Sequence, residues 1–161
     1  MVVYCTSCWA EKINGQTKCP HCGKLIDNKE ADYVTKLIRA LNHPEPTTPV
    51  RVAWILGEIR AKVAVGPLLD VTRQTKDPYL LSSAVEALGK IGDTRSVTEL
   101  AELMKKSSIV VRLKAVEALA RIGSSESVTA IRDALNDRNI SVRQAAKQAL
   151  YARTNLRIIE P

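Results

Sequence analysis

Four cysteines carry the clearest chemistry in this chain, and all of them fall within its first 22 residues. They form two Cys-x-x-Cys pairs, Cys5 with Cys8 and Cys19 with Cys22, separated by ten residues. Thiolate sulfurs bind zinc tetrahedrally, and two such pairs on tight turns bring four sulfurs to one ion. Pro20 fixes the entry to the second turn, and Gly23 directly after Cys22 permits the positive φ that such a knuckle needs. Trp9 stands at the matching place after Cys8, so the first turn departs from that pattern. Asn14-Gly15 offers a hairpin turn between the pairs. The same donors suit iron in a four-sulfur site. Two disulfides would need an oxidising compartment, whereas the start Met1-Val2-Val3-Tyr4 reads as no signal peptide. A redox Cys-x-x-Cys belongs at a strand–helix junction of a βαβ unit, a context this sequence lacks. A closed shell of four sulfurs leaves no position for substrate, so the expected role of the metal is structural. His21 is then a turn residue.

The stretch from Tyr4 to Ile26 resembles the short zinc-ribbon module of bacterial and archaeal proteins. The resemblance rests on Tyr4-Cys5, Cys8, Glu11, Lys18-Cys19-Pro20 and Cys22-Gly23-Lys24. It implies one structural zinc and no catalysis.

Most of the remaining chain repeats itself. Leu56, Leu88, Leu119 and Leu150 recur at steps of 32, 31 and 31 residues. Ile59, Ile91 and Ile122 follow in step, as do Val65, Val97 and Val128, then Leu68, Leu100 and Ile131. Each unit reads as two helices. Val111, Ala115, Val116, Leu119 and Ile122 give one apolar stripe at helical spacing, and Val128, Ile131, Ala134 and Leu135 give the next. Gly123 ends the first helix and Ser124-Ser125 caps the second. Asp77-Pro78 and Thr48-Pro49 read as cap-plus-proline starts. Ala53, Ala84, Ala115 and Ala146 allow neighbouring helices to approach closely. Tyr33, Leu37, Ile38 and Leu41 predict a lone leading helix over 29–41, with Asp27 and Glu30 as a capping box. Pro44, Pro46 and Pro49 then stiffen a loop in which His43 is a solvated residue.

Helix pairs stacked at a fixed period make an α-solenoid. Residues Val111 to Gly123, and Ala87 to Val97, resemble the short HEAT repeats of the phycobilisome-lyase type. The resemblance implies an all-α fold: a right-handed α-solenoid of HEAT-like helical hairpins behind the small amino-terminal zinc ribbon. The expected organisation is a ribbon over 1–27 and a solenoid over 28–153. Within the solenoid the leading helix precedes repeats at about 48–76, 77–106, 107–137 and 138–153, and a tail covers 154–161. Leu80-Leu81 stands where later units have Val-Arg, and Val50-Arg51 comes two residues late.

In this family the second helices line a concave surface. Its outward positions are Lys36 and Arg39, Asp70 and Arg73, Glu99 and Glu102, and Arg132 and Asp133. These signs are mixed, whereas a nucleic-acid groove is dominated by Lys and Arg with stacking aromatics. The formal charge is +7, and a divalent ion on four thiolates brings −2 and lowers it to +5. Arg60, Lys90, Arg121 and Arg153 read as last-turn cations of first helices, a stripe for phosphates or a response to the helix dipole. Arg112 and Arg143 sit near helix starts, where the dipole disfavours them, and need specific partners. Asp137 is the expected partner of Arg143, and Arg112 faces Lys106 at the matching position, so it must find another. Residues 138 to 161 carry five basic side chains and one acidic.

Two histidines, no Gly-rich phosphate loop and no nucleophile elbow argue against catalysis. Apolar runs are too short to span a membrane. The expected function is a non-catalytic cytoplasmic adaptor, zinc-binding through Cys5, Cys8, Cys19 and Cys22, that takes a protein partner on its concave face. An alternative is a nucleic-acid accessory factor using the ribbon and the basic carboxyl-terminal end. A bilin-lyase-like enzyme is a third reading, since that activity has no compact residue signature.

Overall fold

The structure is a computed structural model that describes residues 3–5, 8, 10–12, 18–25 and 33–159. Strands β1 (Val3–Tyr4) and β2 (Glu11–Lys12) pair antiparallel, Val3 opposite Lys12 and Tyr4 opposite Glu11. Eight helices follow among the described residues: α1 (Tyr33–Ala40), α2 (Thr47–Glu58), α3 (Val65–Gln74), α4 (Pro78–Ile91), α5 (Val97–Lys106), α6 (Ile109–Ile122), α7 (Ser125–Asp133) and α8 (Ile140–Ile159). The leading helix is thus seen over Tyr33–Ala40, and the capping box proposed at 27 and 30 lies outside the described residues, as do Trp9 and the Asn-Gly turn. Helix α8 continues to Ile159, beyond residue 153 where the last repeat was expected to end.

Local signals set most of these boundaries. The Asp77 carboxylate accepts the Tyr79 N–H, and Pro78 opens α4 with a φ already suited to a helix. Ser108 and Ser124 accept from the N–H groups of Val111 and Ser127. Gly92 and Gly123 close α4 and α6 in the left-handed conformation, φ 74° and 68°, which an L side chain disfavours. The start of α2 differs from expectation. The helix begins at Thr47 and Pro49 lies inside its first turn. The cap comes from Glu45, whose carboxylate accepts from the N–H and hydroxyl groups of both Thr47 and Thr48. Those donors, the Thr48 hydroxyl foremost, hold its pKa down at about 2.

The first helices of the units stack in sequence, α2 on α4, α4 on α6 and α6 on α8. The second helices fill between them, α3 against α4 and α5 against α6, with α7 contacting α5, α6 and α8. A single apolar core runs through this stack, and Leu56, Leu68, Leu88, Leu100 and Leu119 are all sealed from solvent. The predicted alanines Ala53, Ala84, Ala115 and Ala146 are completely buried. The tightest approach falls beside them. A Cβ on Gly57 would sit 2.7 Å from the Cα of Ala87, and one on Gly89 would sit 2.6 Å from the Cα of Ala118. No helix among the described residues is long and apolar enough to cross a membrane.

Arg112 is the largest fully buried side chain among the described residues. Its Nε and Nη2 donate to the two carboxylate oxygens of Asp137 at 2.8 and 2.9 Å, and Nη1 donates to the Ser107 carbonyl at 2.9 Å. Arg143 donates instead to the Asp137 carbonyl oxygen, at 2.7 Å. The expected assignment is therefore reversed: the Asp137 carboxylate serves Arg112, from the start of the same unit. The correction has a sequence rationale. The preceding unit has Leu81 at the position of Arg112 and Lys106 at that of Asp137, so both members of the pair are replaced together.

Two stability predictions arise from this packing. Gly89→Ala should destabilise by about 1–3 kcal/mol through overpacking against Ala118. Gly66→Ala, where nothing lies within 4 Å of the added carbon, should be neutral or stabilising. Denaturant unfolding of the two variants checks the contrast. Asp137→Ala should cost about 3–5 kcal/mol near neutral pH, because it strands a buried guanidinium. Burial pushes the Asp137 pKa up, but Arg112 and the Asn139 N–H outweigh it and hold the carboxyl below its ordinary value. Its contribution is therefore present above the unfolded pKa of about 3.9 and is lost as pH falls through the lower folded value. The gap between wild type and Asp137→Ala in unfolding curves should narrow in that acid range.

Candidate functional site

The four cysteines converge. All four Sγ atoms lie within 4.8 Å of one another, with Cys5–Cys22 at 3.8 Å and Cys8–Cys19 at 3.6 Å. Sulfurs placed about 2.3 Å from one tetrahedral centre are separated by roughly 3.8 Å, whereas a disulfide holds them at about 2.05 Å. The spacing fits metal ligation, and the four cysteines are not cross-linked. Both turns close alike: the Cys5 N–H donates to the Ala10 carbonyl and the Cys19 N–H to the Lys24 carbonyl, each at 2.9 Å. Gly23 takes φ 71°, as its place after Cys22 predicts, and its N–H donates to the Cys19 carbonyl. Pro20 and His21 are exposed in the turn, His21 away from the ligand role. Cys5 and Cys19 are buried and the other two half-buried.

An N–H from Ala10 favours the Cys8 thiolate, but burial and the three neighbouring sulfurs prevail and its pKa is pushed up to about 12. At Cys19 the N–H groups of Cys22 and His21 prevail and the pKa is lowered. Four packed sulfurs cannot all carry negative charge unaided. A divalent cation would supply the compensating charge, and its binding would release protons.

The positions expected to face a partner divide by environment. Lys36 is exposed and Arg39 half-buried on α1. On α3 and α5, Arg73 donates to Glu99 at 2.8 Å and lies 3.8 Å from Asp70, joining two second helices. Glu102 pairs with Lys105 on its own helix at 3.2 Å. Arg132 and Asp133 are exposed at the end of α7. Two clefts of about 320 Å³ open beside these residues. One lies between α1 and α3, lined by Ile38, Leu41, Pro67, Asp70 and Val71. The other lies between α5 and the end of α7, lined by Ala101, Met104, Asp133 and Ala134. His43 stays in its loop, where its Nδ1 accepts the Glu45 N–H.

A charge network on the first helices escaped the sequence reading. Lys90 donates to Glu58 at 2.6 Å and Glu86 at 2.8 Å, and Lys114 reaches Glu86 at 3.1 Å and Glu117 at 3.5 Å. The Lys90 ammonium also lies 5.7 Å from the Trp54 ring centre. Bonding to Glu58 and Glu86 raises the Lys90 pKa. The within-helix spacings of this network were visible, but its crossings between α2, α4 and α6 required knowing which helix faces meet.

Stacked two-helix units behind a four-sulfur knuckle define a helical-repeat scaffold with a candidate metal centre. The HEAT-repeat model matches residues 34–110 and 100–158, and the chain belongs to the HEAT-repeat family. It is also similar in fold to a chain in the complex of CpcE and CpcF of phycocyanin lyase from Nostoc sp. PCC7120. That match has a TM-score of 0.53 at 21% identity, over 78% of this chain and 66% of the other, just under two thirds of its length. No curated protein matches the sequence.

Metal loss should leave the repeats standing, because the cysteine core and the solenoid core are separate clusters among the described residues. Cys19→Ala should lose its bound metal by elemental analysis while keeping most of its helical circular dichroism. Collapse of the helical signal would mean that the two parts share a core.

Proposed function

We propose that this chain is a non-catalytic adaptor. It binds a protein through its second-helix face and carries one zinc, held by Cys5, Cys8, Cys19 and Cys22, as a structural ion. In this reading the ribbon of residues 1–27 folds around the metal and the repeats from 28 onward form the scaffold. One observation carries the choice of a protein over nucleic acid. At the centre of the second-helix face charges are paired with one another, Arg73 with Glu99 and Lys105 with Glu102, beside clefts lined partly by apolar side chains. A phosphate backbone would instead meet Asp70, Glu99, Glu102 and Asp133 there. The structurally similar chain comes from a complex of two proteins, CpcE and CpcF, and this supports a protein partner for a fold of this kind.

The nucleic-acid reading draws on a different region, where Arg138 and Lys147 are exposed near and on α8. The third reading, a lyase, draws on the phycocyanin lyase to which that complex belongs, and at 21% identity the likeness extends to fold only.

A direct comparison separates the readings. The partner should remain bound after nuclease treatment and in elevated salt, and Glu99→Lys with Glu102→Lys should weaken it by about tenfold or more. Nucleic-acid binding should be weak and alike for every sequence. Specific sub-micromolar binding that drops about 1,000-fold between 50 and 200 mM salt, and is lost in Arg138→Glu/Lys147→Glu, would overturn the adaptor reading.

A further inference from the structure

The carboxyl-terminal ends of α2 and α4 and the last turn of α6 surround a cleft of about 510 Å³, lined by Gly57, Glu58, Arg60, Gly89, Lys90 and Arg121 among others. Gly57 and Gly89 at its floor are where the neighbouring helices come into close contact with Ala87 and Ala118. Its ionic side chains comprise three cations and one carboxylate. Glu58 is engaged by Lys90, whose ammonium also holds Glu86. The other two cations differ. Among the described residues, neither the Arg60 nor the Arg121 guanidinium has a carboxylate or carbonyl partner.

Helix dipoles attract cations to carboxyl ends, and that accounts for Lys90 and Arg121. It does not account for Arg60. The residue lies past the end of α2 rather than in its last turn, in register with Gly92 after α4 and Gly123 after α6. It takes the same left-handed backbone, φ 50°, and is the one non-glycine residue with positive φ among those described. A strained arginine has replaced the glycine that the turn favours. The nearby carbonyls do not require its charge either: those of Leu56, Gly57, Leu88 and Leu119 already accept backbone N–H groups.

We propose that this cleft binds a small phosphate-bearing molecule, with the guanidinium groups of Arg60 and Arg121 as its anion holders. Planar guanidinium forks match phosphate oxygens in pairs, and two of them beside Lys90 suit a multiply charged anion. The volume lies within the range of small-molecule sites. The site is distinct from the second-helix face and does not depend on how that face is used.

Titration calorimetry of the full chain with inorganic pyrophosphate, and with phosphate and chloride for comparison, tests the assignment. Pyrophosphate should bind at physiological salt more tightly than phosphate, and chloride should give no saturable heat. Arg60→Gly should raise the melting temperature, since glycine relieves the strained backbone, yet weaken pyrophosphate by about tenfold or more. Arg121→Gln should weaken binding similarly without the thermal gain, and Arg51→Gln, exposed elsewhere on α2, should change neither. Absence of pyrophosphate binding to the wild type, or equal affinity in wild type and Arg60→Gly, would overturn the proposal.

Discussion

The closeness of α2, α4 and α6 is the constraint on which the rest of the solenoid depends. At Gly57 against Ala87, and at Gly89 against Ala118, an added methyl would come within 2.6 to 3.0 Å of the neighbouring alanine. Helix backbones this near leave room only for small residues on the facing stripe. The leucines must therefore turn to the side where the second helices arrive, which is why Leu56, Leu88 and Leu119 are buried with Leu68 and Leu100. A repeat of 31 or 32 residues follows from that geometry, since each unit must present the same small stripe and the same leucine side to its neighbours.

Charge is arranged around this apolar stack so that the buried guanidinium is paired. The one deeply buried guanidinium among the described residues, on Arg112, has a bidentate carboxylate and a carbonyl. Such a pair gives little net stability against an apolar replacement, but it penalises any register that separates its members. The Glu58–Lys90–Glu86–Lys114 chain crosses three stacked helices, and its more exposed links contribute about 0–1 kcal/mol each. Its value lies in fixing how the helices face one another.

The repeat, the capping residues Asp77, Ser108 and Ser124, and the closing glycines Gly92 and Gly123 were legible because each acts over a few residues of chain. The cysteine cluster was legible for the same reason, its donors being paired within tight turns. What misled the reading was pairing between the two ends of one unit. Asp137 lies six residues from Arg143 but 25 from Arg112, and proximity in sequence favoured the nearer arginine. The start of α2 was misread because Thr48-Pro49 imitates Asp77-Pro78, while the actual cap, Glu45, is an uncommon residue for the purpose. Arg60 was placed in a last turn because it occurs near Lys90 and Arg121 in the repeat, although its true counterpart is a glycine.

The two parts of the chain hold together by unlike means, and this bears on what each can do. Among the described residues the amino-terminal segment has a core of four sulfurs, and in the proposed reading its structure would be conditional on a cation. The solenoid is packed through contacts between neighbouring helices around one apolar core. A surface built on such a stack can change its outward residues without cost to the core, since those positions contribute little to the packing. The second-helix face carries charges of both signs, among them the Arg73–Glu99 and Lys105–Glu102 pairs. The ends of α2, α4 and α6 use it differently, holding two guanidiniums beside a cleft and one of them on a strained backbone. On the two proposals above, the contrast between the paired Arg73 on one surface and the Arg60 and Arg121 guanidiniums on the other would distinguish two kinds of site on one uniform scaffold.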